Sequence, residues 1–115
     1  MVAPKIHAVS DETVDDGLPE CLRGARLIGR DLSRCDLSGC RFIGSKLQGA
    51  ILHGANLDRA EFLGADLTEA ELSEASAIQA GFGHANLSRA VLIQVQLANA
   101  SLSKANLSGA DLRAS

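Results

Sequence analysis

The sequence predicts an all-β solenoid whose chain winds into stacked, four-sided coils of 20 residues. Three observations carry this reading. Residues 20–114 divide without insertion into 19 blocks of five. The third place of the block is Leu in 15 blocks, Phe in three and Ala in one. Phe42, Phe62 and Phe82, the only Phe residues in the chain, all occupy that third place at intervals of 20.

A period of five fits neither common element. On an α-helix five residues turn about 500°, so successive Leu would scatter around the circumference and leave no buried stripe. On a flat strand an odd spacing throws successive Leu onto opposite faces. Both conflicts vanish if the chain turns a corner once per block. Each block is then one side of a coil, and its first and third places point inward. The first place suits a position near a corner: it is Ala in 13 blocks and Cys in two, with Ser, Val, Arg and Glu once each. Eight glycines fall in the fifth place, at the corner itself, where turn geometry favours them. Four blocks make the 20-residue coil that stacks the Phe side chains in one column, with Leu22 below and Leu102 above. The rings fill a core otherwise poor in aromatics, which are 3% of the chain.

The blocks beginning at Ala55, Ala65, Ala85, Ala105 and Ala110 read A(D/N)LXX, and on these residues the chain resembles the pentapeptide-repeat proteins. The resemblance covers residues 20–114. It implies a right-handed quadrilateral β-helix, here about 4.75 coils and a rod on the order of 23 Å tall at the usual strand spacing. It brings no family-wide active site. Some members of that family resemble B-form DNA in size and charge, bind DNA gyrase and protect it from quinolones.

The 115 residues are one domain's worth of chain, divided into a tail over 1–19 and the β-helix over 20–115. The tail reads as a short capping helix, with Ser10 as N-cap, acids in its first turn and Gly17 past its end. Val9, Val14 and Leu18 would cover the first coil, as solenoid ends require. Glu20 and Arg30 are charged residues in inward places, and the expected partners of Arg30 are Asp11, Glu12, Asp15 and Asp16. At the other end the inward residues Leu97, Leu102, Leu107 and Leu112 are expected to be left uncovered in the last coil, beside an open strand edge. That end is expected to pair two chains as a homodimer.

One block, residues 75–79, breaks the core pattern. Ala77 replaces the central Leu, and one coil later Val95 is the only Val in a first place. Either Val95 leans into the vacated space, or a bulge swings Ile78 inward.

Charge is banded. The tail holds four acids and one Lys, net −3; residues 20–114 hold ten acids and ten bases. A neutral body is no nucleic-acid binder, and it is neither long nor acidic enough for a gyrase-binding DNA mimic, which stays the alternative function. Within the body, Asp58, Glu61, Asp66, Glu69, Glu71 and Glu74 form an acidic belt against Arg59 alone. Such a belt is either a solvated surface or a docking site for a basic partner. Ile43 and Leu63, 20 apart on the outer side of the Phe column, make a stacked apolar pair beside Gly81 and Gly83. They are a candidate partner contact, together with Glu61, Asp66, Glu69, Glu71 and Glu74.

No motif supports catalysis. Cys35 and Cys40 sit in first places at different corners and stand in for Ala, and Cys21 is outward. His7, His53 and His84 are scattered, without ligand spacing. The serines at 33, 38, 73, 88, 103 and 108 line the outer wall in fourth places. The expectation is a non-enzymatic scaffold or protein-interaction module that needs no cofactor and no metal, with an unidentified protein partner. The apolar runs are too short to span a bilayer or to form a signal peptide. The three cysteines make no even disulfide set, so a cytoplasmic, reducing compartment is expected.

Overall fold

The structure, a computed structural model, describes residues 24–115. Over this range the chain is a right-handed quadrilateral β-helix. There is no helix among the described residues. Every second-place residue forms a parallel bridge with the residue 20 positions on, from Arg26 with Lys46 to Val91 with Asp111. The coil of four blocks is therefore unbroken through the rod. The tail, its capping helix, its boundary at residue 19 and the expected places of Glu20, Cys21 and Leu22 lie outside the described residues.

Each side of the coil is one block, and each corner is one turn. The first-place N–H donates to the third-place carbonyl of the preceding block, as Arg30 does to Leu27 at 3.0 Å. The residue between them in the fifth place has positive φ. All 19 fifth places from Gly24 to Ala114 lie between +57° and +71°, eight of them Gly and 11 not. A four-residue turn closed this way with positive φ at its third residue is the type II pattern, which favours Gly at that place. The other 11 residues accept a strained backbone, because the coils above and below fix the corner.

Between coils the hydrogen bonds run in two directions. In a complete coil eight N–H groups, from third and fifth places, donate to the higher-numbered coil: Leu27 to Lys46 at 2.7 Å and Gly29 to Gln48 at 2.9 Å are examples. Four N–H groups, from second places, donate to the lower-numbered coil, as Lys46 does to Ala25 at 2.8 Å.

The inward places fill the rod. Phe42, Phe62 and Phe82 are fully buried, as are Leu37, Leu47, Leu52, Leu57, Leu67, Leu72, Leu87 and Leu92. The three rings stack with centroids 4.9 Å apart and planes within 4° and 1° of parallel. Their spacing equals one coil, so the rings follow the backbone rise instead of tilting to fit it. First places supply Ala, buried Cys40 and buried Ser45, whose hydroxyl donates to the Phe42 carbonyl at 2.7 Å. This bond satisfies a hydroxyl that would otherwise be orphaned in the core.

Two expectations are corrected here. Arg30 is exposed, not buried, as a long side chain that leaves an inward place for water can be; its expected partners Asp11, Glu12, Asp15 and Asp16 lie outside the described residues. The bulge at Ile78 does not occur. Ala77 and Gln79 keep their ladder bonds to Gln96 and Ala98, both 2.8 Å, and Ile78 stays on the outer wall. Val95 is buried in the same core as Ala77. Its own turn bond to the Leu92 carbonyl, 3.4 Å, is the longest of the corner bonds. The extra volume of Val at a place built for Ala opens that corner slightly.

Candidate functional site

The second and fourth places face outward, and their side chains make the four walls. In seven of these pairs a second-place Asp or Asn reaches over the central Leu to the fourth-place backbone, and Glu71 does so more loosely to Ser73 at 3.5 Å. Asp31, Asp36, Asn56, Asp66, Asn86, Asn106 and Asp111 each accept the N–H two residues on, at 3.0 to 3.2 Å. This local Asx bond explains why Asp or Asn recurs in the second place. Where the fourth residue is Ser or Thr, its hydroxyl often donates to the same oxygen, as Thr68 does to Asp66 at 2.6 Å. The fourth-place serines are thus wall-building groups. The bond to Ser33 holds the exposed Asp31 carboxyl below the usual range, and Arg113 does the same for Asp111.

The acidic belt is largely occupied by the rod's own groups. Asp66 accepts from Thr68, and Glu71 from Ser73 at 3.0 Å. Asp58 reaches up one coil and accepts from the Ser76 hydroxyl at 2.5 Å and the Ile78 N–H at 3.0 Å. Glu69 pairs with Arg89 at 3.2 Å, and Glu74 lies 4.0 Å from His53. Exposed pairs of this kind are worth little in stability, but Arg89 lowers the charge that Glu69 offers to a partner. Glu61 is the exception: it is exposed and has no ion pair among the described residues.

Glu61 belongs to the wall over the Phe column, where the structure also places Ile43 and Leu63. Leu63 is 47% exposed, the largest apolar exposure in the described rod after Ile28, and Ile43 is half-buried. One coil higher, Gly81 and Gly83 do not leave bare backbone. A Cβ on Gly81 would meet Glu61 Oε1 at 2.9 Å, and one on Gly83 would meet Leu63 Cδ1 at 3.3 Å. Glu61 and Leu63 therefore lean over the glycine block, and the two glycines are what admit them. Asp66, Glu69, Glu71 and Glu74 lie on other walls and corners, so the structure does not gather them with this pair. Sequence reasoning missed the lean because it placed each side chain beside its own block only.

At the high-numbered end, burial falls away. Leu97, Leu102 and Leu107 are half-buried and Leu112 is 38% exposed, while Phe82, Leu87 and Leu92 one coil lower are fully buried. The N–H groups of Leu97, Leu102, Leu107 and Leu112 have no backbone acceptor among the described residues.

Among the described residues no cavity opens, and no three metal-ligating side chains converge. Cys40 is buried and Cys35 half-buried. Burial first, and Asp31 second, push the Cys35 thiol up, away from reactivity.

The family model for pentapeptide repeats matches residues 21–59, 52–82 and 80–115. The chain belongs to the pentapeptide-repeat family. Among solved pentapeptide-repeat proteins it is similar to HetL, involved in heterocyst differentiation regulation in the cyanobacterium Nostoc sp. strain PCC 7120. That match has 34% identity and a TM-score of 0.77, covering 83% of this chain and 46% of HetL. The chain thus spans about half the length of HetL. Rfr23 from the cyanobacterium Cyanothece 51142 shares the fold at 22% identity and a TM-score of 0.69, covering 81% of this chain and 86% of Rfr23. QnrB1, a plasmid-mediated fluoroquinolone resistance protein, aligns at 23% identity with a TM-score of only 0.41, over 76% of this chain and 47% of QnrB1. That superposition is too loose to bear on function. Comparison with curated protein sequences gave no match.

Proposed function

We propose that this pentapeptide-repeat rod is a non-enzymatic protein-binding module of the cytoplasm whose contact surface is the wall over the Phe column. One observation carries the reading: Leu63 stands half-exposed on a stacked Phe core, flanked by Ile43 and an unpaired Glu61. A rigid backbone with an apolar residue held proud of it loses little entropy on binding. The other strongly exposed wall residues, Ile28 and Ile51, lie on different walls, which is ordinary for a surface, and Val91 and Ile93, neighbours in one block, are half-buried.

The test is crosslinking in the native host, with wild-type protein compared against Leu63→Asp. Loss of a specific set of crosslinks in the variant, with unchanged melting temperature, supports the wall as the binding surface. An identical set from both proteins overturns it. Inhibition of DNA gyrase supercoiling at micromolar protein would instead favour the DNA-mimic role. The balance of ten acids and ten bases over residues 20–114 argues against that outcome, since a mimic of phosphate charge needs a net negative surface.

A further inference from the structure

We infer that the partner on the Phe wall is a second copy of this chain, lying antiparallel and face to face. The inference rests on the proposed binding role of that wall and names its occupant. Arg41 and Glu61 are bridge partners one coil apart. Both are exposed, yet neither makes an ion pair with the other or with any other described residue. Glu61 instead turns away from Arg41, over Gly81. Ile43 and Leu63 stand beside them in the same two coils.

A two-fold axis lying in the plane of this wall, across the rod and between the two coils, exchanges the coils and keeps the places. Arg41 then meets the partner's Glu61, and Glu61 meets the partner's Arg41. Ile43 meets the partner's Leu63, and Leu63 the partner's Ile43. One surface is thus complementary to itself in both charge and apolar contact, as an isologous dimer requires. Parallel rods about an axis along the rod would set Arg41 against the partner's Ile43 and waste both.

One wall is narrow. It covers a few hundred Å² per chain, below the roughly 800 Å² per partner of a standard interface. The pairing is weak and reversible, with a dissociation constant on the order of 100 µM. It weakens with salt, because the paired charges lie near water.

Sedimentation equilibrium from 20 µM to 2 mM tests this on wild type, R41E, E61R, the R41E/E61R double variant and L107K. Each single reversal sets like charges together and is expected to weaken association about tenfold or more. The double variant restores opposite charges across the interface and is expected to return within about threefold of wild type. An equimolar mixture of R41E and E61R is expected to associate as the wild type does. L107K, at the far end of the rod, leaves association unchanged. If a reversal fails to fold, R41Q and E61Q remove the charges singly and are each expected to weaken pairing. A wild-type monomer at 2 mM, or a double variant weaker than both singles, overturns the inference. So does loss of association in L107K alone, which would assign the dimer to the leucine end. A monomer whose host crosslinks still depend on Leu63 removes the self-pairing and leaves the binding wall standing. A monomer without such crosslinks removes both.

Discussion

The Phe wall and the adjoining wall built on Leu37, Leu57, Ala77 and Leu97 carry the same backbone ladder over opposite fillings. Under the Phe wall the interior is crowded, with three rings stacked 4.9 Å apart. Its outer face is stripped to glycine at 81 and 83, where side chains from the coil below lie across it. Under the other wall the interior thins to Ala77. There the outer face supplies the hold: Asp58 reaches up to the Ser76 hydroxyl and the Ile78 N–H. Ladder bonds through both regions stay between 2.6 and 3.1 Å. The backbone ladder sets the shape of a coil. Side chains inside or outside then meet local shortfalls, and one wall can spend its contacts where its neighbour cannot.

The largest break in this comparison is Phe62→Ala. Phe62 has a ring on both sides, so the change empties the centre of the column and leaves neighbours that cannot close in. A loss of about 3–5 kcal/mol is expected in a denaturant titration; a loss under 1 kcal/mol would mean the rings contribute little to the coil.

Asp58→Ala comes next. It removes an acceptor from a hydroxyl and a backbone N–H of the coil above, and should cost about 1–3 kcal/mol. The matching change at Glu69, whose only side-chain bond among the described residues is an exposed pair with Arg89, should cost at most about 1 kcal/mol. Equal losses would show that the wall over Ala77 does not depend on its outer staple.

The smallest effect sharpens the question of what occupies the space beside Ala77. Ala77→Leu alone should cost about 1–3 kcal/mol by crowding. Combined with Val95→Ala it should fall to about neutral, giving a coupling of about 1 kcal/mol or more in a double-mutant cycle. Additive changes would show that Val95 and Ala77 do not share volume.

Much of this rod was legible in the residues. Three Phe at intervals of 20 set the coil, and the Leu and Ala places set the inward faces. The role of Asp58 was not legible. Its reach to Ser76 and Ile78 depends on lateral distances between coils, which spacing alone does not supply. The lean of Glu61 and Leu63 over Gly81 and Gly83 was hidden for the same reason. Arg30 was misplaced because an inward place was equated with burial, whereas a long side chain can leave such a place for water. Positive φ at residues such as Gln79 and His84 contradicts their local preference and follows only from the stacked corners around them.

The two directions of the inter-coil hydrogen bonds do not cancel. Eight N–H groups per coil point toward higher residue numbers and four point back, so four peptide dipoles per coil add along the axis. The rod is therefore an electret, with its positive pole at the high-numbered end and its negative pole at the low-numbered end. An α-helix is polarised the other way with respect to chain direction. Arg26, Arg30, Arg34 and Arg41, all exposed in the lowest described coil, gather at the negative pole, where the backbone field favours cations.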